Sequence, residues 1–136
     1  MKSIMVSTSK TDWISGSHLY GQQSIYHGKE LVELKILSDR RKEEGGLAYL
    51  VKFNPPAGKL IKIVAVARSD EQTYVLEGGY CNRVGEQLRF PGDYALNPKG
   101  RPHSAFVGKE TVSLVVYAGE PDEIREFSVM DLKSAR

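Results

Sequence analysis

From Leu31 onward the chain repeats one pattern: a short run rich in Val, Ile, Leu, Thr and Tyr, closed by glycine, proline or a charged segment. Leu31-Val32-Glu33-Leu34-Lys35-Ile36-Leu37 is the first run, and Ser38 to Glu44 followed by Gly45-Gly46 ends it. Leu47 to Phe53 alternates, with Tyr49, Val51 and Phe53 on one face and Lys52 opposite. Asn54-Pro55-Pro56-Ala57-Gly58 reads as a turn, because proline fixes φ and glycine relieves the tight position. Lys59 to Arg68 and Gln72 to Leu76 follow, the second ending at Glu77-Gly78-Gly79. Five more short runs are Tyr80–Arg83, Glu86–Phe90, Asp93–Leu96, His103–Val107 and Thr111–Ala118. Many short strands at regular spacing with Gly/Pro turns predict an all-β barrel or sandwich.

The two ends are less regular. Residues 1–30 carry Trp13, Tyr20 and Tyr26 among Gly, Ser and Gln, which reads as an N-terminal arm with short strands and aromatics to bury. Residues 31–136 are the predicted barrel. Within it, Pro121 to Lys133 admits a short helix, while Phe127-Ser128-Val129 fits a closing strand equally well.

With 136 residues, the length suits one domain with one core. A formal charge of +2, with Lys and Arg scattered among nearly as many acids, makes no basic stripe and no case for nucleic acid. Cys81 is the only cysteine, so an internal disulfide and a Cys-based metal site are both excluded. Inert packing is the expected role for its thiol, since no basic neighbour is visible to activate it. The N-terminus lacks the apolar run of a secretory signal, and no stretch approaches the roughly 20 apolar residues of a membrane helix. The expectation is a soluble, unprocessed, cytoplasmic protein with no membrane partner.

Two spaced motifs carry more information. Gly92, Pro98, Gly100 and His103 match G-x5-P-x-G-x2-H-x3-N, with Val107 in place of the asparagine. Upstream, Glu71 and Gly78 match the end of G-x5-H-x-H-x3–4-E-x6-G. In these residues the chain resembles the cupin superfamily over about residues 45–120. The wording of Asp70 to Gly78 and of Phe90-Pro91-Gly92-Asp93-Tyr94 is similar to single-domain cupins related to the sensor domain of ChrR-type anti-sigma factors. The resemblance implies an RmlC-like jelly-roll barrel whose two first-motif histidines, glutamate and second-motif histidine converge on a divalent metal. Here Glu71 and His103 are retained and the first-motif histidines are not. Their places hold Ala65 and Ala67, or Val64 and Val66 with the longer spacer. The alanine register is preferred, because it turns Ile61, Ile63, Ala65 and Ala67 inward and Lys62 and Arg68 outward.

Two retained ligands fall short of the three or more that such sites use, so no metal and no cofactor are expected. His18 or His27 on the arm would have to fold over the mouth of the barrel to complete a set. The expected partner is instead a small, partly apolar organic molecule. The expected pocket wall is Tyr49, Val51, Phe53, Ile63, Ala65, Ala67, Thr73, Ala105 and Val107. Tyr49, Thr73, Tyr74, Tyr94 and Tyr117 offer strand hydroxyls, one or two of which could reach the pocket, although an aromatic on a strand is usually core. His103 and Glu71 are the ionisable pair the motifs place together, an acid–base dyad if the protein is an enzyme. Three functions stay open: a metal-free binder, a cofactor-free isomerase, cyclase or lyase, and a sensory or protein-interaction module. The resemblance also implies a homodimer, with the arm as a candidate to cross onto the partner.

Overall fold

The structure, a computed structural model, describes residues 2–132. Its strands are β1 (Ile14–Ser15), β2 (Ile25–Tyr26), β3 (Lys29–Glu30), β4 (Val32–Asp39), β5 (Leu47–Phe53), β6 (Lys59–Val66) and β7 (Glu71–Glu77). They continue with β8 (Tyr80–Cys81), β9 (Gln87–Arg89), β10 (Tyr94–Asn97), β11 (Pro102–Val107), β12 (Thr111–Tyr117) and β13 (Glu123–Asp131). One four-residue helix, α1 (Ser17–Tyr20), interrupts the arm. Six strands form one sheet in the order β1-β4-β5-β12-β7-β10. Five form a second in the order β13-β6-β11-β8-β9, and β2 and β3 make a separate hairpin. All pairings are antiparallel. Sequential neighbours often lie on opposite sheets, the mark of a jelly roll, and the fold is the cupin jelly-roll barrel.

Alternation along the strands places the core between the sheets. On β5 Leu47, Tyr49, Val51 and Phe53 are buried while Ala48, Leu50 and Lys52 are half-exposed. Leu34, Val75, Ile61 and Val107 reach the same interior from four other strands. Each such side chain contributes about 1.5–3 kcal/mol by leaving water. β6 buries Ile61, Ile63 and Ala65, and Ala67 just beyond it, while Lys62, Val64 and Val66 are half-exposed and Arg68 exposed. The alanines, not the valines, therefore face inward. At Gly78-Gly79, with φ of 75° and 144°, the chain passes so close to its neighbours that a Cβ would lie 2.2 Å from the Glu110 carbonyl and 2.1 Å from that of Arg89. Glycine is what lets β9 dock there.

The arm lies on its own barrel. β1 extends the six-stranded sheet through Ile14 opposite Leu34, and the Gly16 amide donates to the Val32 carbonyl at 2.8 Å. Tyr20 is buried, its ring edge-on to Phe53 with centroids 5.7 Å apart. Its hydroxyl lies 2.8 Å from that of Tyr49.

The helix allowed for Pro121 to Lys133 does not form; Lys133 itself lies outside the described residues. Strand β13 runs there instead, antiparallel to β6 from Glu123 opposite Val66 to Asp131 opposite Lys59. The edge of β6 leaves a row of backbone groups to satisfy, and pairing them outweighs a short helix with little to bury. Among the described residues no helix is long and apolar enough to cross a membrane.

Candidate functional site

Three strand ends meet at one corner of the barrel. Glu71 opens β7, and the register sets it opposite Asn97 at the end of β10 and Tyr117 at the end of β12. Both neighbours donate to its carboxylate, Asn97 Nδ2 to Oε1 at 2.9 Å and the Tyr117 hydroxyl to Oε2 at 2.7 Å. From the other sheet comes His103 on β11, opposite Ala65 of β6. On the far side of β6, Asp122 stands just before β13. His103 Nε2 and Asp122 Oδ2 are 2.7 Å apart, whereas His103 Nε2 is 3.8 Å from Glu71 Oε1.

Strands β11 and β13 flank β6, so their backbones are about 9.6 Å apart at normal strand spacing. At position 65 β6 carries only a methyl group, opposite His103 on one side and Ile124 on the other. Asp122 is almost wholly buried, and its second oxygen, Oδ1, has no hydrogen-bond partner.

The expected Glu71–His103 pair is thus close without being hydrogen-bonded. Asp122 holds the ring at 2.7 Å, and Glu71, whose oxygens accept from Asn97 and Tyr117, stands 3.8 Å away. A carboxylate only accepts, so Nε2–H donates to Asp122 and Nδ1, which has no partner among the described residues, is the free nitrogen. The hydrogen bond that His103 donates to Asp122 raises the His103 pKa above its ordinary 6.5, partial burial opposes the rise, and the Glu71 charge adds to it. Burial raises the Glu71 pKa above its ordinary 4.5, helped by the charge of Asp122, while the Tyr117 and Asn97 hydrogen bonds pull the other way. Burial also holds the Tyr117 phenol well above its ordinary 10.0.

These groups line a cavity of about 260 Å³ between the sheets. Of the expected wall, Val51, Phe53, Ile63, Ala65, Thr73 and Ala105 line it, together with His103 and Glu71. Tyr49, Ala67 and Val107 do not; they are buried in the surrounding core. Tyr49 is instead tied to the cavity through its hydrogen bond to Tyr20, which does line the wall. Tyr117 reaches the cavity, whereas Tyr74 and Tyr94 face outward and are exposed. His18 and His27 are exposed on the arm and line no part of it. Cys81 is half-buried outside this cavity, and burial raises its thiol pKa. Sequence reasoning missed Asp122, Asn97, Tyr20, Tyr80 and Arg89, all of them in the wall. For Asp122 the only signal was an acid between a proline and a run that pairs as a strand.

A metal is what the cupin fold suggests, so the donors decide whether one fits. One atom each from Glu71, His103 and Asp122 lie within 4.8 Å of one another, so the acceptor count is three, not the two that the motifs give. The positions that the resemblance would give to two histidines hold Ala65, which lines the cavity, and Ala67, which is buried beside it, and neither offers a donor. Both Glu71 oxygens, His103 Nε2 and Asp122 Oδ2 are already hydrogen-bonded, an arrangement that suits a shared proton.

In sequence, no family model and no curated protein matches the chain. In structure it is similar to an RmlC-like cupin from Shewanella frigidimarina, with 15% identity, a TM-score of 0.60 and coverage of 85% of this chain and 90% of that one. A protein of unknown function with a cupin-like fold from Ralstonia eutropha gives 17% identity and a TM-score of 0.62, covering 91% and 77%. The DMSP lyase DddQ from Ruegeria pomeroyi gives 18% and 0.54, covering 90% of this chain and 61% of that one. At these identities the likeness establishes the fold alone. The neighbours include both enzymes and proteins of unknown function.

Proposed function

We propose that this protein is a metal-free cupin that binds a small, partly apolar organic molecule in its barrel and exchanges a proton with it through His103. The observation that carries the reading is the 2.7 Å Asp122–His103 contact on the wall of a largely apolar cavity. A buried carboxylate bound to one ring nitrogen steadies the imidazole and favours its protonated form, while the other nitrogen is left for a ligand. Neutral His103 accepts a proton at Nδ1, and the resulting imidazolium is stabilised by Asp122 and returns the proton to a neighbouring atom of the substrate. Glu71, held by Asn97 and Tyr117, supports the ring from a second side. Transfer of a proton within one substrate is the chemistry of an isomerase, cyclase or lyase. It needs no cofactor.

Loss of the two first-motif histidines supports the metal-free part of the reading, and Ala65 facing the cavity beside His103 supports it further. The likeness of Asp70 to Gly78 to ChrR-type sensor cupins supports a sensory module as the second reading, in which ligand binding would be the whole function. Mass spectrometry of the native protein, followed by turnover assays on the captured molecule, separates the two. Turnover that vanishes in His103→Ala while binding persists fits the acid–base reading. A ligand bound unchanged, with no proton exchanged into it from deuterated water, leaves only the binder.

A further inference from the structure

The cavity has a second polar end that the acid–base reading leaves unused. Arg89 closes β9 at the edge of the five-stranded sheet and, among the described residues, is the only Arg or Lys in the cavity wall. Its side chain is fixed in two ways. Nη2 donates to Thr73 Oγ1 at 2.9 Å, and the guanidinium carbon sits 4.9 Å from the centre of the Tyr80 ring. Among the described residues no carboxylate lies within ion-pair distance of it, and Thr73 is its only side-chain hydrogen-bond partner. A guanidinium has five N–H donors, and this one, half-withdrawn from water, has a protein acceptor for one.

We infer that Arg89 is a carboxylate anchor and that the ligand is a small organic acid; the inference rests on the acid–base reading of the same cavity. Thr73 follows Glu71 by two residues on the same face of β7, so the anchor stands about 7 Å from the proton-exchanging corner. Apolar walls from Val51, Phe53, Ile63 and Val115 lie between. Charge fixes the orientation. The far corner holds two carboxylates, which repel an anion, and Arg89 attracts one. A molecule with a carboxylate on Arg89, a short apolar body and a proton-bearing group at His103 satisfies all three zones. A planar carboxylate also matches the fork of a guanidinium, which a lysine would not provide.

Protein-detected NMR with benzoate and benzamide, and with butyrate and butyramide, tests the anchor, since each pair differs only in charge. The acids are expected to bind at least about tenfold more tightly than their amides and to shift the Arg89 side-chain resonance. Arg89→Gln should reduce that ratio to near unity while leaving amide affinity in place. Thr73→Val, which frees the guanidinium without removing it, should lower the ratio only in part. Equal affinity for acid and amide overturns the inference, as does a preference that survives Arg89→Gln or a failure of all four probes to bind. Amides that shift the His103 ring with no preference for the acids sink the anchor alone. Acids that bind at Arg89 without moving His103 preserve the anchor and sink the acid–base reading.

Discussion

His103 and Asp122 meet at 2.7 Å from opposite sides of the strand that carries Ala65. By the resemblance in the motifs, that position would carry a metal-binding histidine. Here it carries a methyl group on the strand that separates the imidazole from the carboxylate.

The coupling is measurable on the histidine ring. NMR titration should give His103 a pKa above 6.5. Asp122→Asn keeps the shape and removes the charge, so it should take away most of the rise. Glu71→Gln, acting across 3.8 Å without a hydrogen bond, should take away less. A wild-type value at or below 6.5, unmoved in Asp122→Asn, removes the basis of the acid–base reading.

Much of this was legible before any coordinates. Alternation in Leu47–Phe53 and the Gly/Pro punctuation gave the barrel, because a strand's period of two leaves a direct trace in the order of residues. Motif spacing placed Glu71 and His103 in one cavity. Asp122 was not legible: it is 19 residues from His103 in sequence, and the two meet only because β11 and β13 flank β6. That His103 lies 2.7 Å from Asp122 and 3.8 Å from Glu71 is set by the register between strands, which the order of residues does not print. Arg89 was hidden similarly, since an arginine in a short exposed-looking run gives no hint of the Thr73 hydroxyl or the Tyr80 face.

Metal content is the next test. Purified protein should carry no stoichiometric Zn, Fe, Mn or Ni after a mild chelator wash, measured by emission spectroscopy. Ala65→His with Ala67→His should restore metal affinity, as both positions face inward; Val64→His with Val66→His should not. About one tightly held ion per chain in the wild type, lost in Asp122→Asn, would establish Glu71, His103 and Asp122 as a metal set instead.

Assembly remains a proposal drawn from the resemblance, and the structure changes how to test it. Removing residues 1–28 would also remove Ile14 from the sheet and Tyr20 from the core, so unfolding would mimic dissociation. Truncation of residues 1–10 spares both and removes Ile4, Met5 and Val6, which are exposed. Light scattering should show a homodimer for the full chain and a weaker one after the truncation. An unchanged dimer means that residues 1–10 play no part in it.

The site's own contribution to stability should fall as the pH rises, and the sign follows from both of its members. A raised folded-state pKa means that the folded protein binds the proton more tightly than the unfolded chain, so protonation stabilises the fold. For Glu71 that contribution is fully present below the ordinary 4.5 and is lost as pH rises through the folded value. For His103 the same holds from 6.5 upward, where losing the ring proton leaves Asp122 without its counter-charge. The wild-type urea midpoint minus that of each site variant, followed from acid to alkaline pH, should therefore decline, while the lowered Asp39 carboxyl adds the opposite trend in both proteins at acid pH. For Glu71→Gln the difference should decline over the lower range, since its amide has no proton to lose. For His103→Gln it should decline over the upper one. A stability that instead climbs between pH 5 and pH 8 in the wild type, and climbs identically in both variants, would mean that other groups dominate and that the site is not strained by its own charges.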